Sequence, residues 1–272
     1  MPPRLRREAE YFFGALRFFT RFPVPAWVGH SPLALNRATR YFPAVGLIVG
    51  AVAALSFSLA SLIWPTSLAV LIAMASTLYC TGAFHEDGWS DMVDGFGGGW
   101  DKAQILNIMK DSRIGSFGAI ALVMLLLAKF SALVALAEPG RSFPPEAGNL
   151  FSIFSGWSTL PAALIAAHAC SRFCAASVLR HLDYVRETGT AKPLATRISF
   201  GEWFFAGLST VPALLLLPTR SALLACLFAL LATLWLTRLF KRQIGGYTGD
   251  CLGATQQLSE VAFYCGLLCK FS

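Results

Sequence analysis

The sequence predicts an all-α fold, a polytopic bundle of six to seven transmembrane helices. Composition, run length and charge placement each point that way. Of the 272 residues, 56% are hydrophobic and only 14% charged, with a mean hydropathy of +0.59. A soluble domain carries about 25% charged residues. So much apolar surface cannot be kept from water, and lipid is the solvent that suits it.

A spanning helix needs about 20 mostly apolar residues. In chain order, candidates lie at 41–63, 68–84, 114–136, 150–170, 200–217, 221–240 and 252–269. The first, third and sixth are the most continuously apolar. The segment 68–84 is short, and 150–170 and 252–269 carry several polar groups, so these three are expected inside the bundle. A β-barrel would need a long series of alternating ten-residue segments, which the chain lacks.

Before the first span, residues 1–40 form a basic N-terminal segment, cytoplasmic or interfacial. Glu8, Glu10, Arg17 and Arg21 interrupt it, unlike the apolar core of a signal peptide. Tyr11, Phe12, Ala15, Phe18, Phe19 and Phe22 have the spacing of an amphipathic helix, lying either in the interface or against the bundle end. No repeat or linker divides the chain, so residues 1–272 read as one integral membrane domain.

Orientation follows from Lys and Arg. With the N-terminus cytoplasmic, all 22 fall on the cytoplasmic side except Arg141, Arg220, Lys270 and the in-span Lys129. This is the positive-inside bias. It also accounts for most of the net charge of +7, so no nucleic-acid partner is required. The seven cysteines show no metal-ligand spacing and read as small packing residues. Membrane lipid surrounds the bundle, and assembly as a homo-oligomer is open.

Chemistry concentrates in a cytoplasmic loop, 85–113. Of the 15 acidic residues, Glu86, Asp87, Asp91, Asp94, Asp101 and Asp111 lie there. If the preceding span continues as helix, Asp87, Asp91 and Asp94 sit at i, i+4 and i+7, within about 60° of one another. Converging carboxylates repel unless a cation lies among them. Hard divalent cations take oxygen ligands, and Mg²⁺ is usually held by a few carboxylates plus phosphate oxygens. Gly97, Gly98 and Gly99 follow and permit close backbone approach to an anion. Lys110, Asp111 and Arg113 then precede the next span. Carboxylates, glycines and basic groups are the parts of a phosphoryl-transfer site; the alternative is a solvated acidic loop.

A second cluster at 241–260 holds Gly245, Gly246, Tyr247, Gly249, Asp250 and Glu260. It reads either as a substrate-binding turn or as a glycine-rich turn with Asp250 capping the last helix. A transporter would place acids deep in several spans, and here they gather at one face.

These residues resemble a known family. His85-Glu86-Asp87-Gly88, Asp91 and Asp94-Gly95-Phe96-Gly97-Gly98-Gly99, followed by Ile108-Met109-Lys110-Asp111-Ser112-Arg113-Ile114-Gly115, are similar to the signature of the cobalamin synthases, the adenosylcobinamide-GDP ribazoletransferases. Arg40-Tyr41-Phe42-Pro43-Ala44-Val45-Gly46 and Gly245-Gly246-Tyr247-Thr248-Gly249-Asp250-Cys251-Leu252-Gly253-Ala254 resemble two further family segments, in the right order. The resemblance implies joining of GDP-activated adenosylcobinamide to α-ribazole or its 5′-phosphate, with release of GMP. It also implies Mg²⁺ and a site on the cytoplasmic face of the bacterial inner membrane.

On that reading Glu86, Asp87, Asp91 and Asp94 are the metal ligands. Asp87, Asp91, Asp94 and Asp111 are the catalytic carboxylates, with Asp111 or Asp87 as the base. Gly97, Gly98, Gly99, Lys110, Arg113, Tyr247 and Asp250 bind substrate. Asp91-Met92-Val93-Asp94-Gly95 also resembles part of the motif of the CDP-alcohol phosphotransferases, which makes a lipid transferase the alternative. Gly98 and Gly99 stand where that family has an Ala-Arg pair, so its ligand set does not carry over.

Overall fold

A computed structural model of the protein describes residues 3–29, 32–138, 159–186 and 198–269. Arg141, Lys192, Arg197, Lys270 and the start of the 150–170 candidate lie outside the described residues. In chain order the helices are α1 (Pro3–Phe19), α2 (Pro32–Ala38), a 3₁₀ turn (Thr39–Tyr41), α3 (Phe42–Ala60), α4 (Thr66–Thr81), α5 (Phe84–Gly98) and α6 (Lys102–Ile108). Then come α7 (Ser116–Leu136), α8 (Thr159–His181), α9 (Phe200–Leu208), α10 (Val211–Leu214), α11 (Thr219–Ile244) and α12 (Gly249–Leu268).

The all-α membrane bundle is as expected, with fewer spans by length and apolarity. Among the described residues, four helices are long and apolar enough to cross a bilayer: Asn36–Ala60, α7, α8 and α11; α4 and α5 make a fifth only as a pair bent by 86°. The candidate at 200–217 is broken into α9 and α10. Pro212 cannot donate a helical hydrogen bond and crowds the carbonyl four residues earlier. In α12, Gln256, Gln257, Ser259 and Glu260 lower the apolarity, and all four are buried.

The bundle faces lipid with α7 and α11, whose Ile120, Met124, Leu127, Leu223, Leu230 and Leu231 are exposed. Its interior is α8 and α12. Glycines set the close contacts. On α3, a Cβ at Gly50 would lie 2.6 Å from the Ile165 Cα of α8, and one at Gly46 would run into the His168 carbonyl. Small residues let helix backbones meet where lipid supplies no hydrophobic push.

Two corrections bear on the site. First, 85–113 is not an open loop. It folds into α5 and α6, and α5 leaves α4 through Gly82 (φ 67°) and Ala83 (φ 56°). Left-handed backbone costs a non-glycine residue about 1–2 kcal/mol, so this turn is enforced by its surroundings. The Arg21 N–H donates to the Cys80 carbonyl at 2.8 Å, and the Arg21 guanidinium lies over Gly82. Second, α8 runs to His181, well past the expected end of the span at 170, so Arg172 lies within a buried helix.

The N-terminal helix packs on the bundle end. Phe19 meets Phe42 at 4.4 Å between ring centroids and stacks on His85 at 5.4 Å; Phe18 meets Phe84 at 5.1 Å.

Candidate active site

The two motif clusters meet where α5 crosses α12. A Cβ at Gly88 would lie 3.1 Å from the Asp250 Cα, and one at Gly253 would lie 3.1 Å from the His85 carbonyl oxygen. Side chains at either position would hold the helices apart. Beside this crossing opens a cavity of about 210 Å³. One wall is aromatic, from Phe18, Phe19, Phe42 and Phe84. The other is polar, from His85, Asp87, Arg172, Tyr184, Arg186, Tyr247, Asp250 and Gln256.

The polar wall depends on backbone pairing between distant segments. The Val185 N–H donates to the Tyr247 carbonyl and the Tyr247 N–H to the Asp183 carbonyl, both at 3.0 Å. A side chain at Gly246 would run into the Asp183 carbonyl. This bridge stands the Tyr184 and Tyr247 rings 5.5 Å apart. It also brings Arg186 to Asp250, Nη2 donating to Oδ2 at 2.7 Å and to the Met109 carbonyl at 3.3 Å. Burial pushes both phenols up, Tyr247 also through Tyr184 and Asp183, so both rings stay neutral. Thr248 caps α12 by accepting from the Cys251 N–H at 3.4 Å; Asp250 is in the first turn and free of that duty.

Of the α5 carboxylates, Asp87 is exposed on the cavity and Asp91 is half-buried. The charges bearing on Asp91 are those of Asp87, Asp250 and Asp94, opposed by Arg186. Asp94 is buried and engaged differently. Its Oδ2 accepts from the Gly115 N–H at 2.8 Å and its Oδ1 from the Gly118 N–H at 2.7 Å. It thereby caps α7 from another helix, its charge against the positive end of the α7 dipole. Side chains at Gly115 or Gly118 would run into this carboxylate.

Other expected residues lie elsewhere. Glu86 points into the bundle, accepting from Gln257 Nε2 at 2.8 Å, and the charges around it are Lys129, Glu260 and Arg172. The glycine run does not form an open cradle. Gly97 and Gly98 end α5, and the Gly99 N–H is taken by the Gly95 carbonyl at 2.9 Å. A Cβ at Gly97 would lie 2.8 Å from the Phe117 ring, and one at Gly99 would lie 2.6 Å from Ile105. These glycines let α5 pack on α6 and α7. Lys110, Asp111 and Arg113 form an exposed turn that does not line the cavity. There Arg113 Nη2 donates to Asp111 at 2.6 Å and holds its carboxyl down at about 2.

Behind the cavity lies a buried polar network that the sequence reading did not assemble. Glu260 receives Lys129 Nζ at 2.7 Å, Gln256 Nε2 at 2.6 Å and the Tyr264 hydroxyl at 3.1 Å, with His168 Nδ1 at 3.4 Å. Arg172 Nη1 donates to the His168 carbonyl at 3.0 Å. Charges inside a bundle are costly unless paired, and Lys129 and Glu260 pair with each other here.

Among the described residues no group of three or more His, Cys, Asp or Glu side chains is gathered to hold a metal ion unaided. Mg²⁺ seldom uses such cages; it binds through one or two carboxylates and substrate phosphates. The donors here are hard oxygens with excess negative charge, which fits such an ion.

Fold and site together define a helical membrane protein with an acidic, aromatic-walled pocket joined from two distant motifs. The chain belongs to the cobalamin-5-phosphate synthase family, whose model matches residues 11–268. It is 45% identical over 269 residues to the adenosylcobinamide-GDP ribazoletransferase of Shewanella frigidimarina, covering 96% of this chain and 95% of that one. The enzyme of that name from Ralstonia pickettii is 45% identical over 98% of both chains. That from Polaromonas sp. is 44% identical over 98% of this chain and 99% of its own. No solved structure matches the chain.

Proposed function

We propose that the protein joins GDP-activated adenosylcobinamide to α-ribazole or its 5′-phosphate, releasing GMP, at the cytoplasmic face of the bacterial inner membrane. The observation that carries this reading is the α5–α12 crossing, where Asp87 lines the cavity with Tyr247 and Asp250, and Asp91, one helical turn on from Asp87, feels the charges of both Asp87 and Asp250. Asp87 and Asp91, with Asp94 and Asp250 adding negative charge, would hold Mg²⁺ together with substrate phosphates. The ion would neutralise phosphate charge and orient the diphosphate.

The chain's own groups do the rest. Asp87, exposed on the cavity, accepts the proton of the ribazole hydroxyl as its oxygen attacks the corrinoid-side phosphorus. The bond to the GMP phosphate oxygen breaks, and GMP leaves. Arg186 keeps Asp250 oriented, and the neutral Tyr184 and Tyr247 offer a wall for a ring. The aromatic side excludes water and suits a flat apolar group.

The test is turnover by liposome-held protein with the GDP-activated corrinoid, α-ribazole and Mg²⁺, following GMP and corrinoid product. Product that requires Mg²⁺ and disappears in Asp91→Ala supports the reading. Turnover only with a CDP-alcohol overturns it.

A further inference from the structure

We propose that Arg172 is a substrate-contacting residue, binding a phosphate group at the buried end of the cavity. Its side chain is 2% exposed, among the largest fully buried side chains of the protein, yet it lines the cavity with Asp87 and Asp250. One edge of the guanidinium is fixed, because Nη1 is held by the His168 carbonyl at 3.0 Å and lies 3.2 Å from His168 Nδ1. Its Nε has no partner. A buried donor without an acceptor is costly, and a guanidinium fork matches phosphate oxygens in spacing and charge.

The other cavity guanidinium, Arg186, is already bound to Asp250 at 2.7 Å. Arg172 is held instead by a network built on Glu260, which fixes His168 and hence the guanidinium's direction. Gln256 ties the same carboxylate to Ser171, with hydrogen bonds of 2.6 Å and 3.0 Å. The network thus presents a preorganised cation beneath the acidic edge where phosphates would be brought. The source is either the diphosphate of the activated corrinoid or the 5′-phosphate of the acceptor. That identity rests on the ribazoletransferase reading; binding of a phosphate at Arg172 does not.

Initial rates of wild type, Arg172→Gln and Arg172→Lys would be compared with donor varied and with each acceptor varied. A charge-assisted contact predicts that Arg172→Gln raises one KM about 10- to 100-fold. A rise for the donor assigns the diphosphate. A rise for the phosphorylated acceptor, with α-ribazole itself unchanged, assigns the 5′-phosphate. A merely structural arginine would not discriminate among substrates, so all KM values within about twofold of wild type overturn the proposal.

Calorimetric titration with inorganic pyrophosphate keeps this test separate from the reaction. If wild type shows no turnover, the reaction reading fails, and weaker pyrophosphate binding in Arg172→Gln still supports the arginine. Equal binding overturns it. If both variants unfold, phenylglyoxal labelling of wild type decides. Protection of Arg172 by pyrophosphate supports the proposal; unlabelled or unprotected Arg172 overturns it.

Discussion

Gly88 of α5 and Gly253 of α12 touch, and a Cβ built on either would lie 3.3 Å from the other's Cα. Residues far apart in the chain thus become the two sides of one cavity. Gly253→Val should destabilise the protein by about 1–3 kcal/mol through overpacking. Turnover should fall further, by about 100-fold, because small displacements of reacting groups cost that much. Thermal unfolding in detergent and steady-state rates measure the two effects; unchanged turnover would remove the crossing from the site.

Asp94 and Asp91 should separate stability from catalysis. Asp94→Asn loses one of two backbone hydrogen bonds at the start of α7 and sets an amide against an N–H. Unfolding should become easier by about 1–3 kcal/mol. Asp91→Asn should unfold like wild type yet lose Mg²⁺-dependent turnover. An Asp94→Asn protein as stable as wild type would refute the capping role.

Arg186 and Asp250 should be energetically coupled. Their side chains are 12% and 21% exposed, so the pair is only partly screened. A double-mutant cycle with Arg186→Gln and Asp250→Asn should give a coupling of about 1–3 kcal/mol. A coupling near zero would mean that the bridge does not hold the cavity wall.

Tyr247 gives a pH signature. Its folded pKa is raised above the ordinary 10, so its contribution to stability is complete below that value. The contribution is lost as pH rises above 10 toward the folded pKa, because the unfolded phenol ionises first. Stability should therefore fall with pH above 10, and Tyr247→Phe should fall less steeply. Parallel curves for the two proteins would contradict the burial of this phenol.

Hydropathy made the bundle legible, and the polar groups of the 150–170 and 252–269 segments pointed to their interior places. The shared face of Asp87, Asp91 and Asp94 was legible from spacing alone. The bend before them was not, because Ala83 carries no sign of its left-handed backbone and only its neighbours impose it. The triple glycine was ambiguous, since closeness to an anion and closeness to Phe117 or Ile105 call for the same residue. Arg186 looked like any loop cation, because its partner Asp250 is distant in sequence and joined through a backbone bridge. Arg172 falls beyond the 150–170 candidate because Ser171 and Arg172 end its apolar run, although the helix itself continues to His181.

The pairing of Lys129 with Glu260 has a consequence for how the protein is made. During synthesis α7 emerges well before α12, so Lys129 is born without its counter-ion. At ordinary rates of chain elongation the wait is on the order of ten seconds. Throughout it the lysine must stay hydrated or associated with the insertion machinery. Arrival of α12 then closes the circuit on α7 and α8 together, which makes the last helix the step that commits the bundle to its membrane-embedded form.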